Sequence, residues 1–283
     1  MIAKNLTIAI PASIISDTPH LREKTAKVGL IGRAAAVFRV QNIIIYPDRN
    51  ETDQRKEIDL ITTILRYMQT PQYLRKRLFK LDSKLKFAGI LPPLQTPNHP
   101  IKSKSRKLQI GEYRDGVVLS KEKDGFFIDI GVEKLSLLRE MNYQVGDIIT
   151  TQIIKKDKRI EVQSVDKNEI PFYWGFSVIT EKNSFGTIVL DKEFDLIIAT
   201  SKKGTNFVQC MKEFAARWKS ANNIIIEFGS PNRGLFEIAK DEGIDLIKHA
   251  EFIINTIPHQ GTKTIRTEEA IFSSLAIFNL NTN

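Results

Sequence analysis

Apolar runs and polar breaks alternate along the first hundred residues. Leu6-Thr7-Ile8-Ala9-Ile10 is closed by Pro11, and Asn42-Ile43-Ile44-Ile45-Tyr46 is closed by Pro47-Asp48. Strands that are apolar throughout belong to parallel sheets covered on both faces. Between and after them the spacing turns helical. Residues 19–40 read as one helix and residues 51–68 as another, with Ile58, Ile61, Leu65 and Met68 on one face. From Gln109 to Val165 the pattern shortens into strands broken by turns, with Asp124-Gly125 as a hairpin signal. Five short strands in about sixty residues fit a small barrel of the OB type, a fold that commonly binds oligonucleotides. The alternation then resumes. Residues 194–200, 223–228 and 252–254 read as strands, 206–219 as a helix, and a last helix starts where Thr267 can cap it. The expected fold class is therefore α/β. A parallel-sheet domain (1–103 and 169–283) is interrupted by an OB-like β-barrel (104–168), after a basic hinge at Lys102–Lys107. The Pro-rich stretch 89–100 reads as an ordered connection.

Charge adds a partner to this picture. The 283 residues carry 42 Lys and Arg against 33 Asp and Glu, a net charge of +9. Such an excess suits a polyanion, because phosphate contacts supply much of nucleic-acid affinity. A charged surface of the thermophile kind would look similar. The lone cysteine, Cys210, excludes an intrachain disulfide and argues against a Cys-rich zinc site. His20, His99, His249 and His259 lack metal-ligand spacing, so no metal is expected. No apolar run approaches the roughly 18 residues of a membrane span, and the first residues do not read as a signal peptide. The expectation is a cytoplasmic protein.

Three polar, glycine-bearing loops end the late strands: Thr200–Gly204, Gly229–Gly234 and Asn255–Thr262. In open α/β sheets ligands bind at the carboxyl ends of the strands, and glycine lets backbone approach a ligand closely. Each loop singly reads more readily as a plain turn. None matches a Walker or Rossmann phosphate loop, which disfavours a phosphate-cradling nucleotide site and leaves an adenosine ligand held by backbone groups. Arg33 sits in an Ala-rich helix, either solvated or reaching a pocket edge. The segment Thr70–Lys80, with Tyr73, Arg75, Lys76 and Arg77, offers phosphate contacts and base stacking, or a charged helix face.

Four phrases occur together: Gly32-Arg33-Ala34-Ala35-Ala36-Val37-Phe38, Thr70-Pro71-Gln72-Tyr73-Leu74-Arg75, Ala88-Gly89-Ile90-Leu91-Pro92-Pro93-Leu94, and Gln260 to Ala270. In combination they resemble the archaeal and eukaryotic SPOUT-class RNA methyltransferases whose catalytic domain carries an inserted OB-like domain. The resemblance spans nearly the whole chain. It implies a trefoil-knotted α/β fold, S-adenosylmethionine as methyl donor, an RNA substrate (ribosomal, at uridine N3), and a homodimer that completes the site. It places Thr200 and Gly204 in the first cofactor loop, and Phe228, Gly229, Ser230 and Gly234 in the second. Asn255, Thr256, Ile257, Pro258, Gln260, Gly261 and Thr262 fall in the third, followed by Ile265 and Arg266. It gives Arg33 a catalytic or RNA-binding role, with Tyr73, Arg75, Lys76 and Arg77 as RNA contacts. A non-catalytic RNA-binding protein of ribosome assembly or chromosomes, retaining the fold, stays open as an alternative.

Overall fold

The computed structural model describes residues 4–49, 51–140, 142–181, 184–190 and 194–280. They separate into two compact units. The first comprises Met1–Gln69, Asp82–Leu94 and Phe176–Asn283; the second comprises Thr70–Leu81 and Gln95–Gly175.

The first unit begins with β1 (Asn5–Pro11), α1 (Leu21–Val37), β2 (Asn42–Tyr46) and α2 (Arg55–Gln69). Both early strands form as their apolar runs predict, and both helices form where the helical spacing predicts them. In the second unit α3 (Gln72–Leu78) precedes β3 (Tyr113–Glu122), β4 (Gly125–Asp129), β5 (Ser136–Leu138), β6 (Ile148–Lys156) and β7 (Ile160–Ser164), and the five strands close into a barrel. Its core is Leu108, Val118, Phe126, Ile128, Ile130, Leu138, Ile153, Ile160 and Val162. β5 is three residues long, too short to show a period of its own. The expected basic hinge is pinned instead. Ser105 donates its backbone N–H (2.9 Å) and hydroxyl (2.5 Å) to Glu133, and the fully buried Arg114 donates to the carbonyl of Lys102 at 2.9 Å.

The chain returns to the first unit with β8 (Ser177–Thr180), α4 (Phe185–Leu190), β9 (Leu196–Asn206), α5 (Phe207–Ser220), β10 (Asn223–Glu227), α6 (Leu235–Asp241), α7 (Leu246–His249), β11 (Phe252–Asn255) and α8 (Thr267–Leu280). The described strands make a six-stranded sheet in the order β11-β9-β10-β1-β2-β8, every pairing parallel. β8 lies at the edge beside β2, and its half-exposed pattern explains why it lacks the apolar signal of its neighbours. One face is covered by α1, α2, α5 and α8, the other by α4, α6 and α7. This two-sided cover is why β1, β2 and β10 are apolar on both faces. A Cβ at Gly32 would lie 3.1 Å from Leu65 and Met68, so glycine there lets α1 settle on α2.

Candidate functional site

Strands β11, β9 and β10 are neighbours, so the loops at their carboxyl ends meet. They enclose a cavity of about 220 Å³.

The first of these segments is not a simple loop after a strand. β9 runs on to Asn206. Ala199 pairs with Ile253 and Thr205 with Ile254, so residues 200–204 are extruded between two consecutive residues of β11. The Thr200 hydroxyl donates to the Glu227 carbonyl at 2.8 Å, and the Asn255 side-chain amide donates to the Lys202 carbonyl at 3.0 Å. Where the excursion rejoins the sheet, a Cβ at Gly204 would lie 2.6 Å from the Ile253 carbonyl oxygen, so only glycine closes it.

The second loop is tied at both ends. Tyr46, buried beneath it, donates its hydroxyl to the Phe228 carbonyl at 2.9 Å. Burial and the neighbouring acids Asp48, Glu227 and Glu242 hold that phenol well above its usual pKa. Within the loop the Ser230 N–H donates to the Arg233 carbonyl at 2.9 Å and the Arg233 N–H to the Ser230 hydroxyl at 3.1 Å. The Arg233 guanidinium donates to the Asp48 carbonyl at 2.6 Å and pairs with Asp241.

In the third loop the Asn255 carboxamide oxygen accepts from the Ile257 N–H at 3.0 Å, forming an Asx turn. Gln260 donates to the carbonyls of Thr262 (2.8 Å) and Lys263 (3.2 Å). The expected Thr267 cap is different in kind. Thr267 is the first residue of α8, and its hydroxyl donates to the Gly229 carbonyl at 3.0 Å. The helix start is served by Glu269, whose carboxylate accepts from the Arg266 N–H at 2.9 Å.

Of the residues assigned to cofactor binding, Thr200, Phe228, Gly229, Ser230, Gly234, Asn255, Thr256, Ile257, Gln260 and Ile265 line the cavity. Gly204, Pro258, Gly261, Thr262 and Arg266 do not. Gly204 acts through backbone closure, whereas Gly261 faces open space. The sequence reading passed over Arg233, Glu237, Ala270 and Ser274, which also line it. Ala270 and Ser274 are small residues spaced i, i+4 on the last helix, and that spacing was the available signal. Behind the second loop, Glu227 and His249 form a buried pair at 2.8 Å.

The structure does not bring Arg33 to the cavity. Its guanidinium donates to the carbonyls of Pro93 (3.1 Å) and Leu94 (2.7 Å), clamping the Pro-rich strap to α1. Tyr73 is turned into the barrel unit. Its hydroxyl donates to the Asp115 carbonyl at 2.6 Å and its half-buried ring lies against Gly131. Arg75 donates to the Thr70 carbonyl at 2.9 Å, Arg77 pairs with Asp129, and Lys76 is exposed. Among the described residues no group of three or more His, Cys, Asp or Glu is placed to hold a metal ion, and no helix is long and apolar enough to cross a membrane.

Fold and cavity define an α/β protein with a cavity at its strand ends and a small closed barrel. A family model described as "Putative RNA methyltransferase" matches residues 5–278, and the chain belongs to this family of RNA methyltransferases. An uncharacterized protein of Halobacterium salinarum is 29% identical over 97% of this chain and 98% of its own. The 28S rRNA (uridine-N(3))-methyltransferase of Drosophila melanogaster is 30% identical over 96% of this chain and 61% of its own. The human protein of the same name is 26% identical over 96% and 77%.

Proposed function

We propose that this chain transfers a methyl group from S-adenosylmethionine to N3 of a uridine in ribosomal RNA. The observation that carries the reading is the convergence of three strand-end loops on one cavity, in a chain whose family is RNA methyltransferases. The uridine target follows the names of the relatives. The lining fits the donor's chemistry. Phe228, Ile257 and Ile265 supply an apolar wall for an adenine ring, and loop backbone with Thr200, Asn255 and Thr256 supplies polar partners. When bound, S-adenosylmethionine would supply a methyl group already activated on a sulfonium, which leaves as a neutral thioether, while uridine N3 gives up its proton to solvent or a nearby base as the N–CH3 bond forms. The protein's share is alignment and exclusion of water, effects large enough to carry much of such a barrier.

The same reading makes the sheet unit a trefoil-knotted SPOUT domain acting as a homodimer. Exposed Leu30 and Val37 on α1 support a partner for that helix. Since Arg33 lies outside the cavity of its own chain, a role for it at the methyl group requires a second copy. The barrel unit, with 18 Lys and Arg against 12 Asp and Glu, would hold RNA. Calorimetric titration with S-adenosylmethionine tests the donor, and mass spectrometry of nucleosides from ribosomal RNA of cells with and without the gene tests the product. A folded protein that binds no donor overturns the proposal.

A further inference from the structure

Lys202 and Lys203 are exposed, line the cavity, and have no ion-pair partner among the described residues. Lys263 and Arg266, which flank the lining residues Thr264 and Ile265, share both properties of exposure and no ion pair. Lys202, Lys203 and Arg233 thus line one opening, with Glu237 as the acid in its lining and Lys263 and Arg266 next to lining residues in the chain.

The two lysines stand on a specified backbone rather than a slack turn. Residues 200–204 interrupt the pairing of β9 with β11, a departure that gives up ladder hydrogen bonds. Thr200 and Asn255 anchor the two sides of the excursion, and the Lys203 N–H donates to the Ser201 hydroxyl at 3.2 Å. Gly204 allows it to close. Bulges of this sort re-aim side chains beside active sites. What this one aims outward is a pair of ammonium groups at the rim.

We propose that Lys202 and Lys203 grip the phosphodiester backbone of the RNA beside the nucleotide that enters the cavity. The inference rests on the methyltransferase reading. Lysine is a point charge on a flexible stem and suits a row of phosphates. The other anion at hand is the carboxylate of the methyl donor.

The test measures affinity of the full chain for a single-stranded oligoribonucleotide at several salt concentrations, with and without Lys202→Gln and Lys203→Gln together. Each lost phosphate contact lowers the slope of log affinity against log salt by about 0.7 on single strands. The pair should therefore lower it by about 1.4, so that between 50 and 200 mM salt the unaltered protein loses about sevenfold more affinity than the variant. Restoring positive charge with arginine at both positions should restore the slope. An unchanged slope overturns the proposal. So does a variant whose affinity for S-adenosylmethionine falls while its slope stays that of the unaltered protein, which assigns the charge to the donor. Donor binding by the unaltered protein reports separately on the methyltransferase reading.

Discussion

The hydroxyl of Thr267 reaches the carbonyl of Gly229 at 3.0 Å, joining the first residue of the last helix to the second loop. Thr267 is 3% exposed, whereas Gly229 is half-buried where it lines the cavity. Thr267→Val keeps the shape and removes the O–H. Losing one such hydrogen bond costs about 0.5–1.5 kcal/mol, and urea denaturation should show a loss of that order. Because the bond holds two walls of the cavity together, S-adenosylmethionine should also bind more weakly in calorimetry. Unaltered donor affinity would confine the bond to stability alone.

Gly204 and Gly261 are both glycines of the candidate loops, and substitution should separate them sharply. A Cβ at Gly204 meets backbone: Ile253 O at 2.6 Å and Ile253 C at 2.8 Å. Backbone cannot swing aside as a side chain does, and overpacking of this kind costs about 1–3 kcal/mol. Gly204→Ala should lose stability on that scale and disturb the excursion that carries Thr200. At Gly261 nothing lies within 4 Å of the added atom. Gly261→Ala should change stability by less than about 0.5 kcal/mol. Thermal melts of the two variants side by side make the comparison, and equal losses would refute it.

The pair of Glu227 and His249 predicts a pH dependence. Glu227 is fully buried, and burial pushes its carboxyl above the usual 4.5 while His249 pulls it down. One of its oxygens has no hydrogen-bond partner among the described residues. The folded chain thus holds the proton more tightly than the unfolded one. The stability this contributes is full below the usual carboxyl value and is lost as pH rises through the folded one. Glu227→Gln stays neutral throughout and still offers His249 an acceptor. In urea denaturation over a pH series rising from the usual carboxyl value of 4.5, the unaltered protein should decline relative to the variant as pH rises. A constant gap would show that Glu227 does not titrate in this range.

Legibility in the sequence followed burial. β1, β2 and β10 are sandwiched between helices and announce themselves as apolar runs, whereas β8 and β5, edge-exposed or short, do not. The cavity's walls were legible as glycine loops because strand ends converge in a parallel sheet. What composition could not show is contact at a distance in sequence. Arg33 and Tyr73 look like surface ligands for RNA, yet one guanidinium nitrogen of Arg33 and the hydroxyl of Tyr73 are bonded to carbonyls 60 and 42 residues away. The extrusion at Thr200–Gly204 was likewise hidden, because a one-residue step on β11 set against six on β9 is a property of register.

Arg33 can be placed by subunit complementation. Its two bonds to Pro93 and Leu94 are charge-assisted, and such bonds contribute about 1.5–3 kcal/mol each. Arg33→Ala should therefore lose stability, and it should leave donor affinity close to normal because the cavity lies elsewhere. If Arg33 serves the site of a second copy, methyl transfer should fall as well. Gly229→Val blocks the cavity from the other side: even a Cβ there lies 3.0 Å from the Arg233 carbonyl oxygen. Each variant alone should be inactive in transfer. In a mixed dimer, one intact cavity would meet one intact Arg33. Random pairing of equal amounts makes half the dimers mixed, each with one site of two, so about a quarter of full activity should return. An arginine acting within its own chain would restore none, since no chain in the mixture carries both parts. Absence of rescue in demonstrably mixed dimers would thus return Arg33 to the strap it holds.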